Sequence, residues 1–279
     1  MSWQVDHIKK LLLQAGEISL KYFALPEIST KTDGSVVTQA DIEIEDFFTA
    51  NLENIEKKVF LIGEETHAAK PSGYFEEAIQ HAVYIVDPID GTSPYSSHLP
   101  LWGVSVGYAE KGCLTEGAIF FPILKQMIYT EGDAVKVWML ESDQIIKLAP
   151  KDIQPNPTAM VAITQTLAKR GKVNLKNPVQ ALGCAVFPLM ELAKGNYLGY
   201  IGSLKIWDMA AGIPMLDKMG FSMYLEDKTP FGCEISEKYY NLDFESPSCW
   251  KTHKATLFCK ASCRDYILDN LEYPNKSIG

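Results

Sequence analysis

Two carboxylates stand three residues apart in Asp87-Pro88-Ile89-Asp90-Gly91-Thr92. A pair bracketing a turn can hold a hard cation through oxygen. The backbone amides of a helix start can receive an anion. One turn offering both suits a metal-bound phosphate. Three further acidic positions fall at element boundaries: Asp41, Glu64 with Glu65, and Asp208. Each has a plain structural reading taken alone. Thr38 and Asp41 fit a capping box, Glu64 and Glu65 fit a solvated loop, and Asp208 fits an N-cap. Residues at such boundaries can also converge on a cleft from distant segments.

The elements that must position these acids follow from local pattern. The apolar run 82–86 predicts a buried strand ending at Asp87. Ser93-Pro94 predicts a helix with Ser93 as N-cap and Pro94 as its first residue. Val5, Ile8, Leu11, Leu12, Ala15, Ile18 and Tyr22 fall at helical spacing and predict one apolar-faced helix over 3–23, stopped by Pro26. A second helix follows Thr38, and a short strand over 59–62 ends at Gly63-Glu64-Glu65. Strands over 102–108, 113–121, 125–129 and 135–140 predict a mainly antiparallel sheet in the first half. Two prolines in 151–157 place a boundary between subdomains 1–150 and 151–279. In the second half the pattern predicts a strand over 159–163, a helix over 181–194 with Pro188 in its first turn, and a strand over 197–201. A helix running from Asp208 to Met219, a strand over 255–259 and a helix over 262–271 complete it, with a tail from Tyr273.

Composition narrows the function classes. The chain has 279 residues, 47% of them hydrophobic, enough for a sizeable core. Its formal net charge of −9 argues against a nucleic-acid partner. No apolar run approaches the ~20 residues of a membrane span, and the first residues have no secretory pattern. A cytoplasmic protein is the expectation, with no membrane partner. The six cysteines include no C-x-x-C pair and read as free thiols. The five histidines are scattered, so no zinc cluster competes with the acids.

Four segments together resemble the inositol monophosphatase family of magnesium-dependent, lithium-inhibited phosphomonoesterases. Asp87 to Thr92 is similar to its D-P-I-D-G-T signature, and Trp207-Asp208-Met209-Ala210-Ala211-Gly212 to its W-D-x-A-A-G signature. Gly63-Glu64-Glu65 matches G-E-E, and Lys31 to Asp41 matches K-x-D-x-S-x-V-T-x-A-D. The resemblance implies an α/β (α+β) layered sandwich, with an antiparallel sheet in the N-terminal subdomain and a mixed sheet in the C-terminal one. It implies hydrolysis of a small phosphorylated substrate by a water activated between two Mg²⁺ ions, a third ion being held in some arrangements. Glu64, Asp87, Asp90, Asp208 and the Ile89 carbonyl would be the metal ligands. Asp41 and Thr92 would orient and deprotonate the water, with Glu65 assisting, and Gly91, Thr92 and Ser93 would receive the phosphate. A homodimer is implied as well.

The chain departs from the family pattern at Ser93-Pro94, where Pro94 removes an amide donor, and at Ile201, where animal enzymes carry an acid. Lys205 fits either a contact to a second anionic substrate group or a solvated surface position. An adenosine 3′,5′-bisphosphate phosphatase is therefore the rival enzyme reading. A non-catalytic metal- or phosphate-binding relative is the rival from another class.

Overall fold

The stripe at Ile8, Leu11, Leu12 and Ala15 folds as α1 (Val5–Phe23), and those side chains are buried. The computed structural model describes residues 3–26, 28–30, 36–244, 246 and 248–274; Lys31 to Ser35 of the first motif and the end of the expected tail lie outside the described residues. An antiparallel pair, β1 (Ile28–Thr30) and β2 (Val36–Thr38), runs directly into α2 (Gln39–Leu52). Next come β3 (Val59–Gly63), α3 (Tyr74–Ile79), β4 (Ala82–Asp90), α4 (Thr92–Ser96), β5 (Gly103–Glu110), β6 (Cys113–Phe121), β7 (Gln126–Glu131), β8 (Ala134–Met139) and β9 (Gln144–Lys147). Strands β3 to β9 form one seven-stranded sheet in sequence order. It is antiparallel from β4 onward, but β3 runs parallel to β4. The α3 crossover carries the chain back to the end where β3 began, so β4 runs the same way, which a hairpin cannot achieve.

The second half contributes β10 (Met160–Ile163), α5 (Gln165–Arg170), β11 (Lys172–Val173), β12 (Val179–Gln180), α6 (Val186–Ala193), β13 (Tyr197–Gly202), α7 (Ile206–Met209), α8 (Gly212–Lys218), β14 (Ser222–Leu225), β15 (Pro230–Phe231), β16 (Thr256–Cys259), α9 (Arg264–Leu268) and β17 (Leu271–Glu272). A six-stranded mixed sheet takes the order β12-β10-β13-β16-β14-β15, with β10 parallel to both its neighbours. The layers alternate. Helices α1 and α2 share one core with Tyr84, Val86, Val104 and Val106 of the large sheet. Its other face, through Val83, Ile85 and Ile119, meets α6, α7 and α8, which in turn meet Tyr200 and Phe258 of the small sheet. Leu167 of α5 and Ile267 of α9 close the far side. Strand β4 is buried on both faces, which explains its uninterrupted apolar sequence.

Several sequence readings are corrected. The helix after the central turn begins at Thr92, with Gly91 as its N-cap at φ 94° and Pro94 as its third residue. The backbone needs the left-handed conformation there, and only glycine enters it without strain. Pro94 is tolerated because first-turn N–H groups have no intrahelical partner. Helix α6 starts at Val186, not 181, after Gly183 turns the chain at φ 75°. Asp208 is the third residue of α7 and accepts the Lys205 N–H at 2.8 Å, so it is no N-cap. The last helix ends at Leu268 and gives way to β17, which pairs with β11. Strand β9 was not anticipated.

The thiol expectation is also corrected. Cys113 and Cys233 form a disulfide, while Cys184, Cys249, Cys259 and Cys263 are buried free thiols. Main-chain pairing across Gly112 to Leu114 and Cys233 to Ile235 sets the two Cα atoms 5.1 Å apart, within bridging reach. The bond ties the large sheet to the segment after β15. Among the described residues no helix is long and apolar enough to cross a membrane.

The two halves touch most closely where glycines of the large sheet face the alanines after Asp208. A Cβ at Gly107 would lie 2.6 Å from the Ala210 Cβ, and one at Gly117 would lie 2.2 Å from the Ala211 carbonyl oxygen. Gly117→Val should therefore lower the unfolding free energy by about 1–3 kcal/mol, measured by urea denaturation; an unchanged midpoint would show that the layers can part without cost. Thiol titration of the denatured, unreduced protein should count four groups, and six after reduction. Six before reduction would refute the disulfide.

Candidate active site

Strand β4 delivers the central acids. Its pairing with β5 is interrupted between Asp87 and Asp90, which frees the Pro88-Ile89 step from the ladder. Both acids are nearly inaccessible, Asp87 at 1% and Asp90 at 6%. Asp90 reaches across to the second half, where it accepts the Ala185 N–H at 2.9 Å and the Val186 N–H at 2.5 Å. It thus caps the start of α6. Gly91 then reverses the chain, and the Thr92 hydroxyl donates to the Ile89 carbonyl at 3.2 Å.

The parallel partner of β4 delivers Glu64. Strand β3 ends at Gly63, and the next loop is held by a residue the sequence reading missed. Glu45 of α2 is fully buried, and its carboxylate accepts the Glu65 N–H at 2.8 Å and the Thr66 N–H at 2.7 Å. A Cβ at Gly63 would fall 2.1 Å from the Glu45 carboxyl carbon, so the glycine is what admits that carboxylate. The signal was present: Asp41, Ile44, Glu45, Phe48 and Leu52 form one buried line at helical spacing, with two acids in it. Asp41 accepts both the N–H and the hydroxyl of Thr38 on Oδ2, at 2.8 and 2.6 Å, completing the capping box.

Glu64, Asp87, Ile89, Asp90, Gly91, Thr92, Ser93 and Asp208 line one cavity of about 360 Å³. Its opposite wall comes from the second half: Thr164, Gln165 and Thr166, Gly183 to Ala185, Tyr200 and Ser203. None of these wall positions was singled out as functional from sequence, because hydroxyls and small residues in loops carry little pattern. Glu65 and Lys205 line a neighbouring cavity of about 1020 Å³ that shares Glu64 with the first. The Lys205 ammonium lies over the Trp207 ring, 4.9 Å from its centre. Asp41 stands behind the acidic cavity and is fully buried.

Among the described residues, the acidic cavity has four carboxylates on its walls and no cationic side chain. Burial above all, then the charges of Glu64, Asp90, Asp208 and Asp41, holds the Asp87 carboxyl well above the usual range. Burial pushes Asp90 up to about 7, against the lowering pull of the Ala185 and Val186 amides. Burial, Asp90 and Glu64 raise Asp208, opposed by the Lys205 N–H and ammonium. Burying an ionised carboxylate costs several kcal/mol, while one hydrogen bond returns about 1. The amides alone do not balance the charge. Among the described residues the buried Asp87 Oδ1 has no hydrogen-bond partner. The acids are spread along the walls and, among the described residues, are not drawn into a single ligating cluster. Even so, a hard, all-oxygen donor set with uncompensated negative charge fits a divalent cation. Burial pushes the Cys184 thiol well up, so it offers no thiolate nucleophile.

The raised carboxyls give stability a definite pH slope. Between the ordinary value of 3.8 and about 7, folded Asp90 binds more protons than unfolded Asp90, so its contribution falls as pH rises. Without metal, the melting temperature should climb on acidification from about pH 7 to about 5, and Mg²⁺ at neutral pH should raise it separately. Scanning fluorimetry in EDTA and in Mg²⁺ reads both effects; a metal-free melting temperature that drops over that range contradicts the buried repulsion.

Comparison with known proteins adds to this geometry. The model of the inositol monophosphatase family matches residues 4–232. An inositol-1-monophosphatase of Mesorhizobium japonicum is 29% identical over 204 residues, 70% of this chain and 73% of that protein. A histidinol-phosphatase of Chlorobaculum parvum is 31% identical over 223 residues, 76% and 81% of the two chains. A solved IMPase/NADP phosphatase complexed with Mg²⁺ and phosphate superposes with a TM-score of 0.73 at 17% identity, covering 98% of this chain and 95% of that one.

Proposed function

The chain belongs to the inositol monophosphatase family, and we propose that it hydrolyses a small phosphate monoester with a bound divalent cation, releasing inorganic phosphate. One observation supports this most: among the described residues, four carboxylates line a single cavity with no cationic side chain, beside a helix start that can take an anion. Mg²⁺ is the ion proposed, since a solved relative of the same fold carries it together with phosphate.

Glu64, Asp87, Asp90 and Asp208, with the Ile89 carbonyl, are the proposed metal ligands. Bound divalent ions supply Lewis-acid polarisation of the phosphoryl oxygens and lower the pKa of a bound water. The chain's own groups do the rest. The amides of Gly91, Thr92 and Ser93 at the start of α4 are proposed to hold the phosphate oxygens. Thr92 and Asp41 are proposed to orient the attacking water and take its proton, with Glu65 in support. The hydroxyl and amide groups of Thr164, Gln165, Thr166 and Ser203, which line the opposite wall, are proposed to meet the leaving group. Holding both reactants between two walls lowers the entropic part of the barrier.

Phosphate release should be Mg²⁺-dependent and lost in EDTA on at least one of inositol 1-phosphate, histidinol phosphate, fructose 1,6-bisphosphate and adenosine 3′,5′-bisphosphate. Asp90→Asn should cut kcat by at least about a hundredfold while circular dichroism stays that of the native chain. No metal-dependent release from any of the four, or a wild-type rate in Asp90→Asn, would overturn the proposal.

A further inference from the structure

Side chains alternate along a strand, and β13 gives its two faces to different layers. Ile201 turns into the core beneath α5 and α9, while Tyr200 turns to the layer of α6, α7 and α8 and lines the acidic cavity. Tyr200 is 2% exposed. Its backbone is paired to Ala162 of β10 on one side and to Phe258 of β16 on the other. Its ring stacks on that of Phe258, with centres 6.1 Å apart and planes 15° from parallel. Yet among the described residues its hydroxyl has no hydrogen-bond partner. A polar group held in a protein interior without a partner lowers stability, and phenylalanine would pack in the same space. The hydroxyl therefore calls for a partner that the chain itself does not supply.

Several other donors around the cavity are already engaged. The Thr164 and Tyr273 hydroxyls bond to each other at 3.1 Å, the Thr92 hydroxyl donates to the Ile89 carbonyl, and the Cys184 thiol bonds to Asp90. Thr166 and Ser203 bring alcohols. A phenol, with an ordinary pKa of about 10, is a stronger donor than an alcohol and still keeps its proton at neutral pH. In-line displacement says what this donor would meet. Attacking and leaving oxygens lie on opposite sides of phosphorus. Thr92 and Asp41, proposed for the water, both come from the first half of the chain. The leaving oxygen then points to the second half, where Tyr200 stands within reach of the charges of Asp90 and Asp208.

We infer that the Tyr200 hydroxyl donates a hydrogen bond to the leaving-group oxygen, and that it thereby fits the enzyme to esters of alcohols that leave poorly. The inference rests on the phosphomonoesterase reading. In the step, the water oxygen forms the new bond to phosphorus and its proton goes to Asp41. The ester P–O bond breaks, and its electron pair stays on the alcohol oxygen. That oxygen takes its final proton from solvent, while Tyr200 keeps its own. A fixed donor aimed at the place where charge develops acts without reorganising during the reaction. Strand pairing and the Phe258 ring supply that fixity here. An alkoxide carries its charge on one oxygen and gains most from the donor. A nitrophenolate spreads the charge over its ring and gains little.

The test compares the wild type with Tyr200→Phe, both with Mg²⁺, on esters whose leaving groups differ in basicity. These are p-nitrophenyl phosphate, phenyl phosphate, and whichever of inositol 1-phosphate, histidinol phosphate and fructose 1,6-bisphosphate the wild type cleaves. The variant should lose at least about tenfold in kcat/KM on the alkyl ester, less than about twofold on p-nitrophenyl phosphate, and an intermediate factor on phenyl phosphate. Its melting temperature should not fall, because no hydrogen bond of the fold is removed. Equal losses on all the esters would make Tyr200 a packing residue and overturn the inference. Full activity on the alkyl ester, or wild-type cleavage of aryl esters alone, would overturn it too, with the phosphomonoesterase reading left standing. If the wild type cleaves none of the esters, that reading falls and the inference falls with it.

Discussion

Repulsion among buried carboxylates is the constraint on which the rest of this structure depends. Asp87, Asp90 and Asp208 each sit where the charged form is disfavoured, and each makes its neighbours' ionisation harder. A fold keeps such an arrangement only if rigid elements on every side prevent the acids from turning out to water. Here β4, buried on both faces, holds two of them, and α7, packed against that sheet, holds the third. A divalent cation bound among them would relieve that repulsion, so the same term that opposes the metal-free fold would favour the metal-bound one.

Precise approach of the layers makes this possible. Gly107 and Gly117 leave no side chain between the large sheet and the Ala210-Ala211 step, so the segment after Asp208 packs directly on the backbone of β5 and β6. Asp90 reciprocates by capping α6 with its carboxylate. On the opposite flank, Glu45 fills the space over Gly63 and pins the loop of Glu64 and Glu65. The acidic cavity is thus framed by contacts between distant segments, each using the absence of a Cβ or the reach of a short acid.

How much of this was legible beforehand depended on range. The strand into Asp87, the capping box of Thr38 and Asp41, and the stripe of α1 are local patterns, and the chain folds as they read. The layered fold was legible through motif order, and the solved relative has the same fold. Features decided by long-range pairing were not. The start of α4 moved because Gly91 takes the left-handed conformation, which a Ser-Pro pattern does not reveal. Helix α6 shortened because Gly183 turns the chain and Asp90 takes the amides of Ala185 and Val186 from 95 residues away. The Cys113–Cys233 bond spans 120 residues and has no local signature. Glu45 was readable in principle, as an acid on an apolar helix face, yet its partner Gly63 is visible only in three dimensions.

One backbone pairing ties these regions together. Lys205, whose N–H is held by Asp208, forms an antiparallel bridge with Lys251 of the segment between β15 and β16, reinforced by Ile206 N–H to the Trp250 carbonyl and Thr252 N–H to the Leu204 carbonyl. Asp208 and the segment after β15 are therefore joined through one stitched backbone pairing. A substitution between β15 and β16 that loosens this pairing would shift Asp208 without altering any carboxylate of the acidic cavity.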